Sequence, residues 1–221
     1  MPTRSDSERW LEELIGNNRG VTTQLAPSAD VSADAHLGEN TKVWHLAQIR
    51  ENAELGEGCI IGRGAYIGAG VTLGSNCKVQ NYALVYEPAV VESGVFIGPA
   101  VVLTNDRNPR AVNPDGSAKA ASDWDPVGVK IAEGASIGAR AVCVAPVQIG
   151  RWAMVSAGAV VVEDVPDFAL VVGVPARRIG WVGHSGHRLA EVTSGAWSCP
   201  VSGRDYSEVD GQLIPQTESS Q

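Results

Sequence analysis

The densest cluster of chemically capable side chains in this sequence lies near the middle of the chain. The segment 104–126 opens with Asn105 and Asp106 and continues with Arg107 and Arg110. A carboxylate pairs with an ammonium group, and a guanidinium holds a phosphate or a carboxylate through two parallel hydrogen bonds. Long irregular loops inside compact domains are usually functional or disordered, and this polar motif favours function.

Histidine, the most frequent general base in proteins, is scarce in this sequence. Only His36 and His45 precede residue 180, while His184 and His187 lie near the C-terminus. A lone histidine such as His45 serves either as a ligand or base or as part of the framework. Asn81 is a neutral amide, which orients reactants but cannot remove a proton at pH 7.

These side chains are carried by a strict six-residue repeat. Every sixth residue from Leu25 to Leu103 is aliphatic, and the series resumes in step from Ile131 to Val161 with a cysteine at Cys143. The residue four positions after the aliphatic is small throughout both blocks, except after Leu103, where the loop begins. This period predicts a parallel β-helix, in which each hexapeptide forms a short strand and a corner, and three of them close a coil of roughly 18 residues. It excludes helices, whose apolar period is 3.6 or 3.5.

Composition limits the partners of the chain. With 221 residues and a formal net charge of −8, it offers no general nucleic-acid surface. No apolar run approaches the ~18 residues that span a membrane, and no signal-peptide core is present, so we expect a cytoplasmic protein without a membrane partner. Cys59, Cys77 and Cys143 fall on inward columns of the repeat. We expect them to be free buried thiols.

The repeat divides the chain into four segments. We expect an N-terminal helical extension at 1–20 and a β-helix domain at 21–180, interrupted by the loop insertion 104–126. A small appendage follows at 181–214. Residues 215–221 are expected to form a frayed tail.

Several short segments resemble a known family. They are Val43-Trp44-His45, Gln80–Glu87, Phe96–Pro99, Thr104–Arg110 and Phe168–Arg177. Together they resemble the hexapeptide-repeat acyltransferases with an all-β, left-handed parallel β-helix fold. The closest resemblance is to nucleotide 3-aminosugar N-acetyltransferases, which acetylate UDP-2-acetamido-3-amino-2,3-dideoxyglucuronate or dTDP-3-aminosugars. The resemblance covers about residues 25–182 and implies a homotrimer, acetyl-CoA as cosubstrate, and a place in surface-polysaccharide biosynthesis.

The resemblance also implies roles for individual residues. Asn81 matches the reactive centre and would position the amine or the thioester. Substrate contacts would come from His45, Tyr86, Glu87, Asn105, Asp106 and Arg110. Coenzyme A would be held by Lys130, Ala139, Ala157, Arg177 and Arg178. Structural alternatives remain open for these residues: a corner asparagine, an Asx-turn at the loop entrance, and solvated arginines.

The appendage departs from relatives that carry a zinc ribbon with paired Cys-x-x-Cys motifs. His184-x-x-His187 with Cys199-x-x-Ser202 gives three plausible ligands and one weak one. A closed zinc site needs four, so we predict a ribbon without metal whose core is Trp197, Tyr206 and Leu213.

Three other functions compete with sugar N-acetylation. A γ-class carbonic anhydrase needs a histidine trio around zinc, and no histidine occurs between 46 and 183. O-acetylation of a small alcohol would call for a well-placed histidine base. A non-catalytic β-helix scaffold would leave the polar loop unexplained.

Overall fold

The computed structural model describes residues 23–216 as a left-handed parallel β-helix followed by a small antiparallel sheet. The all-β, left-handed architecture predicted from the repeat is confirmed. The helix predicted within 1–20 and the last five residues of the predicted tail lie outside the described residues. Within 23–216, no helix is long and apolar enough to cross a membrane.

Three parallel sheets form the faces of a triangular prism, with strands numbered in chain order. Sheet A contains β1 (Gln24–Leu25), β4 (Lys42–Val43), β7 (Ile60–Ile61), β10 (Lys78–Val79), β13 (Phe96–Ile97), β16 (Ser136–Ile137), β19 (Met154–Val155), β21 (Ala169–Val172) and the antiparallel β22 (Arg177–Trp181). Sheet B contains β2 (Asp30–Val31), β5 (Gln48–Ile49), β8 (Tyr66–Ile67), β11 (Leu84–Val85), β14 (Val102–Leu103), β17 (Val142–Cys143) and β20 (Val160–Val161). Sheet C contains β3 (His36–Leu37), β6 (Glu54–Leu55), β9 (Thr72–Leu73), β12 (Val90–Val91), β15 (Val129–Ile131) and β18 (Val147–Ile149).

The second residue of each two-residue strand faces the interior, as the repeat predicts. Ile61, Val79 and Ile97 pair in register on successive coils and are fully buried. Burying such a side chain is worth ~1.5–3 kcal/mol, so the inward columns hold together strands too short to be stable alone. In the first coil, Leu25 is 46% exposed within the described residues.

A column of hydrogen bonds lines the interior of the first coils. The side chains of Thr23, Thr41, Cys59 and Cys77 lie 18 residues apart, and each donates to the carbonyl of the residue 15 positions later, which is Gly38, Gly56, Gly74 and Glu92 in turn. All four cysteines of the chain are free and buried. The thiols in this column therefore act as small donors as well as fillers.

The corners stack into three edges, each named for the sheets it joins. Edge AB carries His45, Arg63, Asn81, Pro99, Ala139 and Ala157. Edge BC carries Glu51, Ala69, Glu87, Asn105, Ala145 and Glu163. Edge CA carries Glu57, Ser75, Ser93, Glu133 and Arg151. Successive residues in each set are one coil apart, or about 4.8 Å.

The long loop leaves and re-enters the prism at edge BC. It follows β14 and precedes β15, and the Val127 N–H donates to the Asn105 carbonyl at 3.0 Å. The loop contains a single 3₁₀ turn at Ala121–Asp123. Because it closes on its own starting corner, the coils stay in register, and Phe96 pairs with Ser136 across the insertion.

The appendage is a four-stranded antiparallel sheet. Its strands are β23 (Ala190–Thr193), β24 (Ala196–Ser198), β25 (Asp205–Val209) and β26 (Gln212–Pro215), so it continues one residue into the predicted tail. Tyr206 and Leu213 are buried and Trp197 is half-buried. The ring of His184 contacts Trp152 and Phe168 of the last coils, with centroids 4.8 and 5.0 Å apart, which attaches the appendage to the prism.

Candidate functional site

Edge AB collects four of the predicted site residues in one line. From the first coils upward these are His45, Asn81, Ala139 and Ala157, each at the corner that follows a strand of sheet A. The predicted substrate residue lies below Asn81 and the two predicted cofactor residues lie above it. Along the edge, the order is therefore the predicted substrate residue, Asn81, and then the two predicted cofactor residues.

Asn81 is exposed, and its amide orientation is fixed by one hydrogen bond. Its Oδ1 accepts from the backbone N–H of Arg63, one coil below, at 2.9 Å. Because the oxygen holds this donor, the amide nitrogen Nδ2 remains with two N–H groups, which have no acceptor among residues 23–216. Asn81 is thus arranged to donate hydrogen bonds to a ligand.

Side-chain caps on corner N–H groups also occur on edge CA. Ser93 Oγ accepts from Ser75 N–H at 3.0 Å, and Glu92 Oε2 accepts from Glu133 N–H at 2.9 Å. The structural alternative for Asn81, a corner asparagine that caps its neighbour, is therefore also real. What distinguishes Asn81 is the pair of donors left on its nitrogen.

The upper half of edge AB lacks such caps. Pro99 has no N–H, and within the described chain neither Ala139 nor Ala157 has an acceptor for its backbone N–H. Ala157 is exposed and Ala139 is half-buried. Small side chains leave these donors open to a ligand lying along the edge.

His45 lies two coils below Asn81, about 10 Å away at the inter-coil spacing. It is half-buried, and its Nδ1 is 2.9 Å from Ser28 Oγ. A general base must lie within hydrogen-bond reach of the proton that it removes. On one chain, His45 is therefore too distant to deprotonate a group that Asn81 contacts.

The remaining predicted substrate residues cluster at edge BC. The Tyr86 ring packs on Tyr66 with centroids 5.1 Å apart, and burial, followed by the charge of Glu87, raises the pKa of Tyr66. Glu87 Oε2 is buried with no hydrogen-bond partner in the described structure. Asn105 and Asp106 are half-buried at the loop entrance, where Asp106 accepts from the Asn108 N–H at 2.8 Å in an Asx-turn.

One chain does not bring edge BC to Asn81. Asn81 and Glu87 lie on opposite borders of sheet B, six residues apart along the chain, which corresponds to roughly 15–20 Å. Arg110 is exposed on the loop, and its Nη1 donates to the carbonyl of Pro109. The predicted site residues thus form two groups on two edges.

The predicted cofactor cations have different surroundings. Arg177 follows the turn that covers β20 at the top of edge AB, and its Nη1 is 3.9 Å from Glu163. Arg178 packs over Trp181 at 4.2 Å and donates to Glu208, which ties it to the appendage. Lys130 lies on the outer face of sheet C, beside a cleft of ≈ 720 Å³, and edge AB is on the far side of the prism.

Two arginines on edge AB were not among the predicted site residues. Arg63 occupies the corner between His45 and Asn81, and Arg140 follows Ala139; both are exposed. Neither belongs to a sequence motif. The 18-residue spacing that stacks Arg63 between His45 and Asn81 was the available signal.

The predicted ribbon region holds a hydrogen-bonded network. His184 Nδ1 lies 2.9 Å from the Tyr206 hydroxyl and 3.3 Å from Arg204 Nη1. Hydrogen bonds from the hydroxyl of Ser185 and from Ser202 lower the pKa of Cys199 to about 6. Among residues 23–216, no three His, Cys, Asp or Glu side chains are grouped as a metal site.

Comparison with known proteins gives two family matches and several relatives. Residues 34–69 match the bacterial transferase hexapeptide family (six repeats), and residues 128–163 match the hexapeptide repeat of succinyl-transferase. Over 87 residues, 38% of the chain, it is 45% identical to dTDP-3-amino-3,6-dideoxy-alpha-D-galactopyranose 3-N-acetyltransferase of Aneurinibacillus thermoaerophilus. Over 89 residues, 40% of the chain, it is 37% identical to serine acetyltransferase of Escherichia coli K12.

These matches cover part of each relative. They span 44% of the length of the aminosugar acetyltransferase and 32% of that of the serine acetyltransferase. Among solved structures, a UDP-N-acetylglucosamine acyltransferase from Bacteroides fragilis aligns with a TM-score of 0.59 at 15% identity, covering 72% of this chain and 61% of that one. At this identity the likeness concerns the fold alone.

Proposed function

From the hexapeptide-repeat matches at residues 34–69 and 128–163, we propose that the chain is an acetyl-CoA-dependent N-acetyltransferase of the hexapeptide-repeat transferases, acting on the 3-amino group of a nucleotide-linked sugar. The observation that carries the proposal is the composition of edge AB. Asn81, whose Nδ2 keeps two donors, is followed two and three coils higher by the backbone N–H groups of Ala139 and Ala157, which have no acceptor among residues 23–216.

Those N–H groups fit the acyl-carrying arm of coenzyme A, whose amides need partners every few ångströms. Ala139 and Ala157 present backbone donors about 4.8 Å apart on a surface without bulky side chains. Arg140 would supply a cation for a phosphate on the same edge, whereas Arg177, at the top of the edge, directs its guanidinium towards Glu163 of edge BC. Acetyl-CoA would supply the activated acyl group, with its thioester beside Asn81.

At Asn81 the chemistry needs alignment and donors. An amine nitrogen forms the new C–N bond while the C–S bond breaks, and negative charge develops on the thioester oxygen and sulfur. Two Nδ2 N–H donors held in place by the Arg63 N–H stabilise that charge. The ammonium proton passes to solvent or to the departing thiolate, so no side-chain base is needed, in agreement with the ~10 Å separation from His45.

A cyclic trimer would complete the site from two copies. The outward residues of sheet B form an apolar stripe over five coils: Tyr66, Leu84, Val102, Val142 and Val160. If three prisms turn sheet B towards a threefold axis, edge AB of each copy meets edge BC of the next. Asn81 of one copy then faces Glu87, Asn105 and Asp106 of its neighbour.

The same arrangement accounts for Lys130. Outside each seam, the groove is bounded by sheet A of one copy and sheet C of the next. Lys130 on sheet C then faces the Ala139–Ala157 edge of the neighbouring chain. It is available there for a coenzyme A phosphate, whereas Arg178 is already held by Glu208.

For the acceptor we propose UDP-2-acetamido-3-amino-2,3-dideoxyglucuronate, with a dTDP-3-aminosugar as the alternative. The buried Oε2 of Glu87 and the carboxylate of Asp106 would receive donors from the sugar. His45 and Tyr86 would line the same groove, and Arg110 would hold an anionic group. The 45% identical aminosugar acetyltransferase supports the 3-amino chemistry. We place the reaction in the cytoplasm, in the synthesis of surface polysaccharide.

The direct test is release of free thiol from acetyl-CoA by the purified protein with each acceptor. Turnover of the UDP-uronate alone would support the full proposal. Turnover of a dTDP-3-aminosugar would change the assigned acceptor and leave the proposed mechanism as it is. Asn81→Ala should then be slow, while Ser93→Ala, which removes a cap on edge CA, should leave the rate unchanged.

Serine O-acetylation is the second candidate, because a serine acetyltransferase is 37% identical over 89 residues. In the thiol assay, turnover of serine but of no aminosugar would establish it. A protein that binds coenzyme A but acetylates nothing would contradict both activities. A protein that does not bind coenzyme A would be a scaffold.

A further inference from the structure

Arg63, on edge AB, and Arg151, on edge CA, occupy the same position of the hexapeptide but have different electrostatic surroundings. In each case the backbone N–H is capped by a side chain from the next coil, and the Nε donates to a second oxygen. For Arg151 both oxygens belong to Asp167, whose carboxylate forms an ion pair with the guanidinium at 3.3 Å. For Arg63 the oxygens belong to Asn81 and Tyr82, which are neutral.

Within the described part of the chain, the charge of Arg63 is therefore not compensated. Among residues 23–216, no carboxylate lies within ion-pair distance of its guanidinium, whereas Arg50 is bonded to Glu51 at 2.7 Å. The side chain is exposed and keeps both Nη groups for a ligand. These two nitrogens match the two oxygens of a carboxylate or phosphate.

The orientation of Arg63 is set by Tyr82. The Tyr82 hydroxyl accepts from Arg63 Nε at 3.3 Å, and the Tyr82 ring covers Gly64. A Cβ at Gly64 would lie 2.5 Å from that ring, and the glycine has φ +63°, so Gly64 is what allows the tyrosine to lie flat over the corner. The backbone of Arg63 lies one coil from that of Asn81, about 4.8 Å along the edge.

We propose that Arg63 is a specificity residue that binds an anionic group of the acceptor, located about one sugar width from the amine that is acetylated. This inference rests on the proposed function. Two groups of a nucleoside-diphosphate uronate have this chemistry, the sugar carboxylate and the phosphate on the anomeric oxygen. In both cases the cation binds substrate and transition state alike, so its loss raises KM and leaves kcat nearly unchanged.

The test compares kinetics of Arg63→Gln, Arg63→Lys and Tyr82→Phe with those of the unchanged protein, using Arg151→Gln as the matched control. The acceptors are the UDP-3-amino uronate and its neutral 6-hydroxymethyl analogue. We expect Arg63→Gln to raise KM for the uronate 10- to 100-fold, with partial recovery in Arg63→Lys, a few-fold rise in Tyr82→Phe, and no change in Arg151→Gln. Thermal melting checks that each variant is folded.

The two acceptors separate the sources of the anion. A rise confined to the uronate assigns Arg63 to the carboxylate, and an equal rise for both acceptors assigns it to the phosphate. An unchanged KM for both acceptors in Arg63→Gln, with an active parent protein, overturns the inference and leaves the proposed function standing. An inactive parent with every sugar nucleotide overturns the proposed function itself, and this inference with it.

Discussion

The side-chain oxygen of Asn81 accepts a hydrogen bond from the backbone N–H of Arg63, one coil below it on the same edge. This bond does two things at once: it satisfies a corner N–H that the strand ladder leaves over, and it turns the Asn81 nitrogen into a fixed pair of donors. The oxygen of the Asn81 amide therefore has the structural role and its nitrogen has the chemical role, so a substitution that keeps only the oxygen separates the two.

Asn81→Asp keeps the oxygen and replaces the donors by a negative charge. Because the Arg63 N–H stays capped, we expect a melting temperature close to that of the parent. Loss of the donors should lower kcat about 10²-fold. Steady-state kinetics with melting curves check both, and full activity in Asn81→Asp would rule out a donor role.

Val142→Glu places a charge in the apolar stripe of sheet B. Burying an unpaired carboxylate at a subunit interface is costly, so we expect the proposed trimer to dissociate and activity to fall with it. Lys78→Glu, on the exposed face of sheet A, is the control and should leave the molar mass of the assembly in solution unchanged. Light scattering after size-exclusion chromatography measures both; a trimeric Val142→Glu protein would contradict the orientation of sheet B towards the axis.

Glu208→Gln should loosen the appendage. The Glu208 carboxylate accepts from the indole N–H groups of Trp181 and Trp197 at 2.9 and 3.2 Å and from Arg178, and these donors, Trp181 first among them, lower its pKa. An amide cannot accept all three bonds, so we expect a loss of about 1–3 kcal/mol in the free energy of unfolding. Denaturant titration followed by tryptophan fluorescence measures it.

Glu191→Gln is the control for that substitution, since Glu191 makes one long bond to Gly195 at the protein surface. Glu191→Gln should leave the free energy of unfolding unchanged. Equal losses in the two variants would show that Glu208 has no special part in holding the appendage.

Thr41→Val tests the inner column of hydrogen bonds. Thr41 is fully buried and donates to the Gly56 carbonyl at 3.1 Å, so valine of the same shape leaves that carbonyl without its donor. We expect a loss of about 1–3 kcal/mol. Thr41→Ser keeps the donor and should recover part of that loss, whereas a Thr41→Val protein as stable as the parent would show that the hydrogen bond contributes nothing and that only volume matters at this position.

His184 should make attachment of the appendage pH-dependent. Burial, followed by the charges of Arg204 and Arg151, lowers its pKa, while Glu133 opposes the shift; Tyr206, Trp152 and Phe168 contact the ring. Because the unfolded state binds the proton more tightly, stability should fall as pH decreases below about 6.5, the ordinary histidine value. His184→Gln should flatten this dependence, and NMR titration of the ring protons gives the pKa directly. A value above 6.5 would reverse the expected sign.

The repeat predicted the coils because one inward aliphatic every six residues leaves little choice of fold. It also predicted the buried cysteines, since Cys59 and Cys77 stand on the small-residue column. The exposure of Leu25 could not be predicted, because the repeat does not say what covers the end of a prism.

Prediction of the candidate site was less complete, and the reason is electrostatic. Asn81 and Glu87 belong to one recognisable segment, and it is the six-residue period, not the motif, that indicates that they lie on successive edges. Arg63 was missed because an arginine at a corner is unremarkable until its cap is seen to be neutral. The difference from Arg151 depends on which side chain stacks above each of them, information carried 16 to 18 residues away.

The loop at edge BC has a geometrical consequence for how such a chain can change. Six residues added within a coil would shift every later residue to the next edge relative to the residues before the insertion. Eighteen added residues would keep the later residues on the same edge but move them by one coil. The loop does neither, because Val127 returns to Asn105 and the columns continue as if nothing had been inserted. Its length is therefore decoupled from the distance between Asn81 and Ala139, so the loop at edge BC can be lengthened or shortened while the corners of edge AB keep their spacing.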